Sequence, residues 1–143
     1  MDHAQAERLI RRVFSEVIDG GDYSHLDELF DPECIDHGGM GDTHGYEAFT
    51  GMLEGFRAAM PGYRHELSDI QMLDDSTAIW QVRTIASFTG ELMGARGRGE
   101  QVDVWVANAA RFRDGRVLEH WGLAGDGLAR MLAQMGLEQP APA

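Results

Sequence analysis

Apolar residues in the first half of the chain recur with the period of an α-helix. Three segments show this pattern, and glycine or proline follows each of them, which predicts three helices with one buried face each. They are His3–Ile18, a short helix that begins at Ser24, and Tyr46–Met60. Between the second and the third, Cys34–His37 is predicted to be a brief extended piece and Gly38–Asp42 a loop.

After Gly62 the period of the apolar residues changes from about 3.6 to about 2, which predicts strands. The predicted strands are Tyr63–Leu73, Thr77–Thr89, Gln101–Phe112 and Val117–Ala124. A glycine-rich hairpin loop joins the second to the third, and an Asp-Gly turn joins the third to the fourth. A short helix, Asp126–Met135, follows them, and residues 138–143 are predicted to form a disordered tail.

Helices followed by strands in series are typical of an α+β fold. We expect one domain over residues 1–137, a cone-shaped α+β barrel in which a curved antiparallel sheet wraps over the N-terminal helices. Such a sheet leaves a conical cavity that is open at one end. The two long strands carry apolar residues on both faces, for example Ile79 and Ile85 opposite Val82 and Phe88. One face covers the cavity, so we expect the other to pair with a second copy in a homodimer or higher homo-oligomer.

The composition is that of an ordinary globular domain. With 43% apolar and 25% charged residues, the chain is neither disordered nor a disulfide-stapled miniprotein. The chain contains no run of 18 apolar residues, so no membrane span is predicted. The polar N-terminus does not resemble a secretion signal, and the single cysteine, Cys34, can form no internal disulfide. We therefore expect a cytoplasmic location.

The charge balance excludes several classes of function. The net charge of −12 repels nucleic acid and anionic lipid, so we expect neither as a partner. All 12 basic residues are arginine. The absence of lysine excludes Schiff-base enzymes and the Walker A phosphate loop, and it is typical of a GC-rich bacterial genome.

The sequence carries no recognisable metal motif. His37 and His44 flank Asp36 and Asp42, but their spacing matches no known ligand set, so we expect no metal and no cofactor. Cys34 lies in an apolar context, where a thiol more often packs than reacts.

Acid–base chemistry is the stronger candidate. Glu119, His120 and Trp121 lie in the last predicted strand, and alternation places Glu119 and Trp121 on one face and His120 on the other. A carboxylate against an aromatic wall is poorly solvated when ionised, which makes it a better general base. Two alternatives stay open: Glu119 pairs with a nearby arginine, or Asp126 only caps the last helix.

The three tryptophans indicate a pocket. Trp80, Trp105 and Trp121 lie on strands that are expected to be neighbours, where they could line a site for a flat, partly apolar ligand together with Asn108. The alternative is that they belong to the core.

The stretch from Asn108 to Trp121 resembles the signature of the SnoaL-like polyketide cyclases, also called ester cyclases, of the nuclear-transport-factor-two-like superfamily. Cys34–His37 is similar to that family's extended segment after the second helix, and Leu132–Gly136 to the end of its last helix. The resemblance implies an oligomeric α+β cone that closes a polyketide ring by intramolecular aldol condensation. It also implies that no metal or cofactor takes part, that an aspartate near the last strand is the base, and that histidines hold the enolate.

Carried over residue by residue, the resemblance makes Asp126 the base, or Glu119 if Asp126 is only a cap, and His37 and His120 supporting donors. The expected substrate is a small, hydrophobic or aromatic carbonyl compound. The same fold also serves hydrolases, dehydratases and non-catalytic binding modules. A carboxylate within hydrogen-bond reach of a histidine in the cavity would favour an enzyme. A cavity filled by Met and Phe side chains would favour a non-catalytic binding module.

Overall fold

The structure is a computed structural model and describes residues 1–38, 41–122 and 126–137. Its helices are α1 (His3–Arg12), α2 (Leu26–Leu29), α3 (Gly45–Ala59) and α4 (Gly127–Gln134). The predicted first helix continues beyond α1 as a π-helical segment, Val13–Asp19. The helix α1 begins with a reciprocal cap, because Asp2 accepts from the Gln5 N–H (2.8 Å) and the Gln5 side chain accepts from the Asp2 N–H (2.9 Å).

The strands fall into one large sheet and one small ribbon. The large sheet contains β1 (Phe30–His37), β2 (Asp42–His44), β3 (Arg64–Leu67), β4 (Gln71–Asp74), β5 (Thr77–Phe88), β8 (Glu100–Arg113) and β9 (Arg116–Trp121). The ribbon consists of β6 (Glu91–Leu92) and β7 (Ala95–Arg96) and lies within the predicted glycine-rich loop.

The large sheet is mixed and open, which corrects two details of the predicted antiparallel barrel. Its order is β2-β1-β9-β8-β5-β3, with β4 also paired to β5, so among the described residues the sheet has edges and does not close. The pair β1–β9 is parallel and the others are antiparallel. The predicted brief extended piece is in fact the eight-residue strand β1, which lies beside the C-terminal strand β9. The α+β class and the curved sheet are confirmed.

Two further elements differ from the prediction. The segment Tyr63–Leu73 is two strands rather than one, because the chain leaves β5 after Leu67 and pairs with it again from Gln71. The last strand is observed up to Trp121, so the end of its predicted range lies outside the described residues, as does the predicted tail at residues 138–143.

The inner face of the two long strands forms one wall of the core. Alternate residues of β5 and β8 are buried there, as the period of 2 predicts, and the helices α1, α3 and α4 contribute the opposite side. The buried residues of the two strands are Ala78, Trp80, Val82, Thr84, Ala86, Phe88, Val102, Val104, Val106, Asn108, Ala110 and Phe112.

No helix in the described part of the chain combines the length and the hydrophobicity that crossing a membrane requires.

Candidate active site

A partly open cavity of about 100 Å³ lies between the inner face of the sheet and the helices. Most of its lining is apolar and includes Phe14, Met52, Phe56, Val106 and Met131. The polar side chains that reach the lining are those of Asp36, Tyr63, His65, Thr84, Asn108 and His120.

Asp36 and His120 form a hydrogen-bonded pair in this cavity. Asp36 Oδ1 and His120 Nδ1 are 2.5 Å apart, and His120 Nε2 lies 2.8 Å from Asn108 Oδ1. The Asp36 carboxyl group is almost fully enclosed, with a side-chain exposure of 7%. Asn108 can match either charge state of the ring, because its carbonyl accepts from a protonated ring and its NH₂ donates to a neutral one. Both ring nitrogens of His120 therefore keep a partner in either charge state.

The second oxygen of Asp36, Oδ2, does not take part in the pair with His120. Among the described residues, Asp36 Oδ2 has no hydrogen-bond partner, and it is absent from the fully enclosed, unpaired polar atoms found there. Oδ2 lies close to Gly38, which lines the cavity together with Asp36.

The sheet register brings the pair together. Asp36 in β1 and His120 in β9 are direct partners of the parallel strand pair, so their side chains leave the same face of the sheet. Asn108 lies on β8, two residues from Ala110, which is the partner of His120. All three side chains therefore point to the concave face.

A β-bulge at Leu118 decides which residues of β9 face the cavity. Val117 pairs with Phe112 and Glu119 pairs with the preceding residue, Arg111, which leaves Leu118 as an extra residue. A shift of one residue reverses the two faces beyond the bulge. His120 therefore lines the cavity, and the expectation that Glu119 and Trp121 face it is corrected.

Glu119 and Trp121 belong to a cluster on the outer face. His37 lies between two carboxylates, with Nε2 2.8 Å from Glu119 Oε2 and Nδ1 2.8 Å from Asp42 Oδ1, and its ring stacks on Trp121 at 5.1 Å. Arg111 also donates to Glu119, which is one of the two alternatives for that residue. His37, Glu119 and Trp121 thus share a site on the face opposite to the cavity.

The two carboxylates favour the charged form of His37. Burial alone would lower the pKa of His37, but the hydrogen bonds to Glu119 and Asp42 outweigh it and raise the pKa above the usual 6.5. A raised pKa in the folded state stabilises the fold fully below about pH 6.5, and this contribution is lost as the pH rises through the folded-state value.

His37→Gln is therefore expected to lower the melting temperature more at pH 6 than at pH 9. The measurement is the difference in melting temperature between wild type and variant across this range, with His44→Gln, a change at an exposed neighbouring histidine, as the control. A difference that stays constant with pH would contradict the charged arrangement.

The other residues predicted to form the site lie elsewhere. The Asp126 side chain is 76% exposed, bonds Arg130 at 3.0 Å, makes no side-chain cap to α4 and does not line the cavity. Trp105 is on the outer face and 45% exposed. Trp80 is buried behind the cavity lining, where it stacks on His120 with a centroid distance of 5.9 Å.

Cys34 is buried, and burial raises the pKa of its thiol, in agreement with a packing role.

A second histidine, His65, was not predicted from the sequence. It lines the cavity from β3, and Asp19 holds its ring through Nδ1 at 2.6 Å. Its neighbour Tyr63 donates its hydroxyl to the Ile18 carbonyl (2.9 Å), and burial raises the pKa of Tyr63 to about 12, so this hydroxyl stays neutral. The sequence does not predict this pair, because the register of the strand that carries His65 is unknown from the sequence and Asp19 lies 46 positions earlier in the chain.

Within residues 1–38, 41–122 and 126–137, no group of three or more His, Cys, Asp and Glu side chains has the arrangement of a metal site.

The comparisons with known proteins identify the class of this fold and site. The model of the family described as "SnoaL-like polyketide cyclase" matches residues 8–134, so the chain belongs to this family. The family resemblance inferred from the sequence is thereby confirmed. No curated protein matches the sequence.

Several solved structures share the fold. Wild-type IdmH, a proposed polyketide cyclase from Streptomyces antibioticus, is 27% identical, with a TM-score of 0.74 over 93% of this chain and 99% of its own. AclR, a proposed hydroxylase from Streptomyces galilaeus, is 22% identical, with a TM-score of 0.73 over 99% of this chain and 91% of its own. TsrD from Streptomyces laurentii is 20% identical, with a TM-score of 0.74 over 94% of this chain and 98% of its own. The last two comparisons show the fold alone.

Proposed function

We propose that this protein is a cyclase or isomerase that removes a proton from carbon next to a carbonyl group of a small polyketide-like substrate. Membership of the SnoaL-like polyketide cyclase family supports this reaction class. The observation that carries the proposal is the Asp36–His120 pair, a carboxylate and an imidazole 2.5 Å apart inside an apolar cavity. A carboxylate within hydrogen-bond reach of an imidazole in the cavity favours an acid–base enzyme over a pure binding module.

In this proposal Asp36 is the base. Its free oxygen, Oδ2, takes the proton, and the electron pair of the broken C–H bond moves into the conjugated carbonyl system as an enolate. His120 donates its Nδ1–H to the other oxygen and so fixes the orientation of the carboxylate. Asn108 in turn holds His120 from the Nε2 side.

The ring then closes within the same molecule. The enolate carbon attacks a second carbonyl carbon, a C–C bond forms, and the resulting alkoxide takes back a proton from the Asp36–His120 pair. The apolar walls hold the two reacting carbons close together, which replaces an improbable encounter by a preorganised one. Every proton and electron pair returns to the product, so the step consumes no oxidant, reductant or cofactor.

The proposal is tested by hydrogen exchange of a simple ketone. 2-Tetralone carries an acidic benzylic C–H beside its carbonyl, and its deuteration in D₂O is followed by proton NMR. The protein is expected to accelerate exchange above the buffer rate in a saturable manner, and 2-naphthol, a planar analogue of the enol, is expected to slow it. If 2-naphthol binds but exchange stays at the buffer rate, the cavity belongs to a binding module.

The outer face of the sheet supports the expected homodimer. Ile79 and Ile85 of β5 are only half-buried there, and the Trp105 ring on the neighbouring strand is 45% exposed. Burying these side chains against a second copy removes apolar surface from water. We expect light scattering at micromolar concentration to give a dimer mass and Trp105→Glu to reduce it. A monomer mass for the wild type would contradict the dimer.

A further inference from the structure

The cavity contains a second polar group that the proposed reaction does not use. The His65 side chain is only 9% exposed. Its backbone N–H and its Nδ1 both face the carboxylate of Asp19, at 3.2 and 2.6 Å. Because a carboxylate accepts hydrogen bonds, Nδ1 carries a hydrogen, and Nε2 of the neutral ring is an acceptor.

The acceptor atom of His65 is open to the cavity. Among the described residues, Nε2 has no hydrogen-bond partner, yet it is not one of the enclosed polar atoms without a partner, which are Thr43 Oγ1 and Trp80 Nε1. The ring lines the cavity and is otherwise buried, so the open space beside Nε2 is the cavity itself. Thr84, the strand partner of His65, lines the same end with its hydroxyl-bearing side chain.

This end of the cavity, here called the distal pole and formed by His65 and Thr84, is separated from the Asp36–His120 pair by apolar side chains. Along β5, Thr84 lies four residues from Trp80, which is the partner of Asn108, and this corresponds to about 13 Å along a strand. Val82 and its strand partner Val106 lie between these two levels and line the cavity.

The distal pole restricts the chemistry of the ligand. A ligand that fills the cavity without pairing Nε2 removes this polar atom from water without compensation, which costs binding energy. A hydroxyl group donates to Nε2 and prevents that loss. A ring ketone or a methyl ether at the same place offers no donor.

We propose that His65, held by Asp19, binds a hydroxyl group of the substrate, and that this substrate is a ring compound with a phenolic or enolic hydroxyl remote from the carbon that loses its proton. This inference rests on the proposed function, because it assigns the reacting end to Asp36. His65 is a substrate-binding residue in this arrangement, and Asp19 is the residue that positions it.

The test compares three probes that differ only at their far end: 2-tetralone, 6-hydroxy-2-tetralone and 6-methoxy-2-tetralone. Calorimetry gives a Kd for each with the wild-type protein. We expect the hydroxy probe to bind about three- to ten-fold more tightly than the methoxy probe, which is the usual effect of one neutral hydrogen bond. Equal affinities in the wild type would overturn the proposal without the use of any variant.

Two substitutions locate the effect at the correct ring nitrogen. His65→Asn keeps an N–H for Asp19 but is too short to reach the cavity, so the hydroxy preference is expected to vanish. His65→Gln places an amide near the former Nε2 and is expected to retain part of the preference. A preference that survives unchanged in His65→Asn would assign the hydroxyl to another group.

The two proposals fail separately. Exchange of 2-tetralone, compared between the wild type and Asp36→Asn, reports on the Asp36 base, whereas the ratio of the two Kd values reports on the distal pole. Exchange with no hydroxy preference overturns the distal pole alone. A hydroxy preference that depends on His65, without any exchange, overturns the base and leaves the binding site standing.

Discussion

Asp36→Asn is expected to slow the deprotonation of 2-tetralone by a factor of about 10²–10⁴, the usual contribution of a general base. The amide has the shape of the carboxyl group. Its oxygen still accepts the hydrogen bond from His120 Nδ1, which is 2.5 Å from the carboxylate in the wild type, so this hydrogen bond is retained. The amide cannot take up the substrate proton, however. The chemistry is lost while the local packing is retained.

Three measurements separate this outcome from unfolding. The exchange rate follows the chemistry, circular dichroism during heating follows the fold, and the Kd of 2-naphthol follows the cavity. We expect a large loss in the first and small changes in the other two. Exchange within a factor of two or three of the wild-type rate would remove Asp36 from the mechanism.

Gly90→Ala is expected to lower the free energy of unfolding by about 1–3 kcal/mol, the usual cost of forcing an extra carbon into a packed site. A Cβ at this position would overlap the backbone carbonyl of Ala58 at the end of α3. The N–H groups of Thr89 and Gly90 both donate to the Ala59 carbonyl, at 3.1 and 2.9 Å. Because the obstacle is backbone, the connection between β5 and β6 must move away from the helix and weaken both bonds.

Gly55→Ala is the matched control. Gly55 lies inside α3, and a Cβ there would meet no atom within 4 Å. Alanine is a better helix former than glycine by about 1 kcal/mol, so this change is expected to stabilise the protein. Urea unfolding of both variants gives the two free energies. Equal effects of the two substitutions would contradict the close approach at Gly90.

The strand faces were predictable wherever the sheet is regular. Alternation along β5 and β8 correctly places Val82, Thr84, Val106 and Asn108 on the inner face, because a strand with one buried face repeats every two residues. In β9 the same rule fails at Leu118, where the bulge inserts one residue and reverses the faces. The residue type at position 118, a leucine, does not indicate a bulge.

The partners across the sheet were harder to predict. In the sequence Asp36 is only an acid beside a histidine, because its contact with His120, 84 residues away, depends on the parallel pairing of β1 with β9. His65 and Asp19 meet through a similar long-range contact. Local periodicity gives the face of a residue, but the register between distant strands follows from the packing of the whole domain.

The most direct test of the account compares three variants in the 2-tetralone exchange assay: Asp36→Asn, Asp126→Asn and Glu119→Gln. Each replaces a carboxylate by the amide of the same shape, but only Asp36 lines the cavity, whereas Asp126 is 76% exposed and Glu119 is held on the outer face by His37 and Arg111. We expect loss of exchange in Asp36→Asn alone. Full exchange in Asp36→Asn together with its loss in either of the other variants would show that Asp36 is not the base.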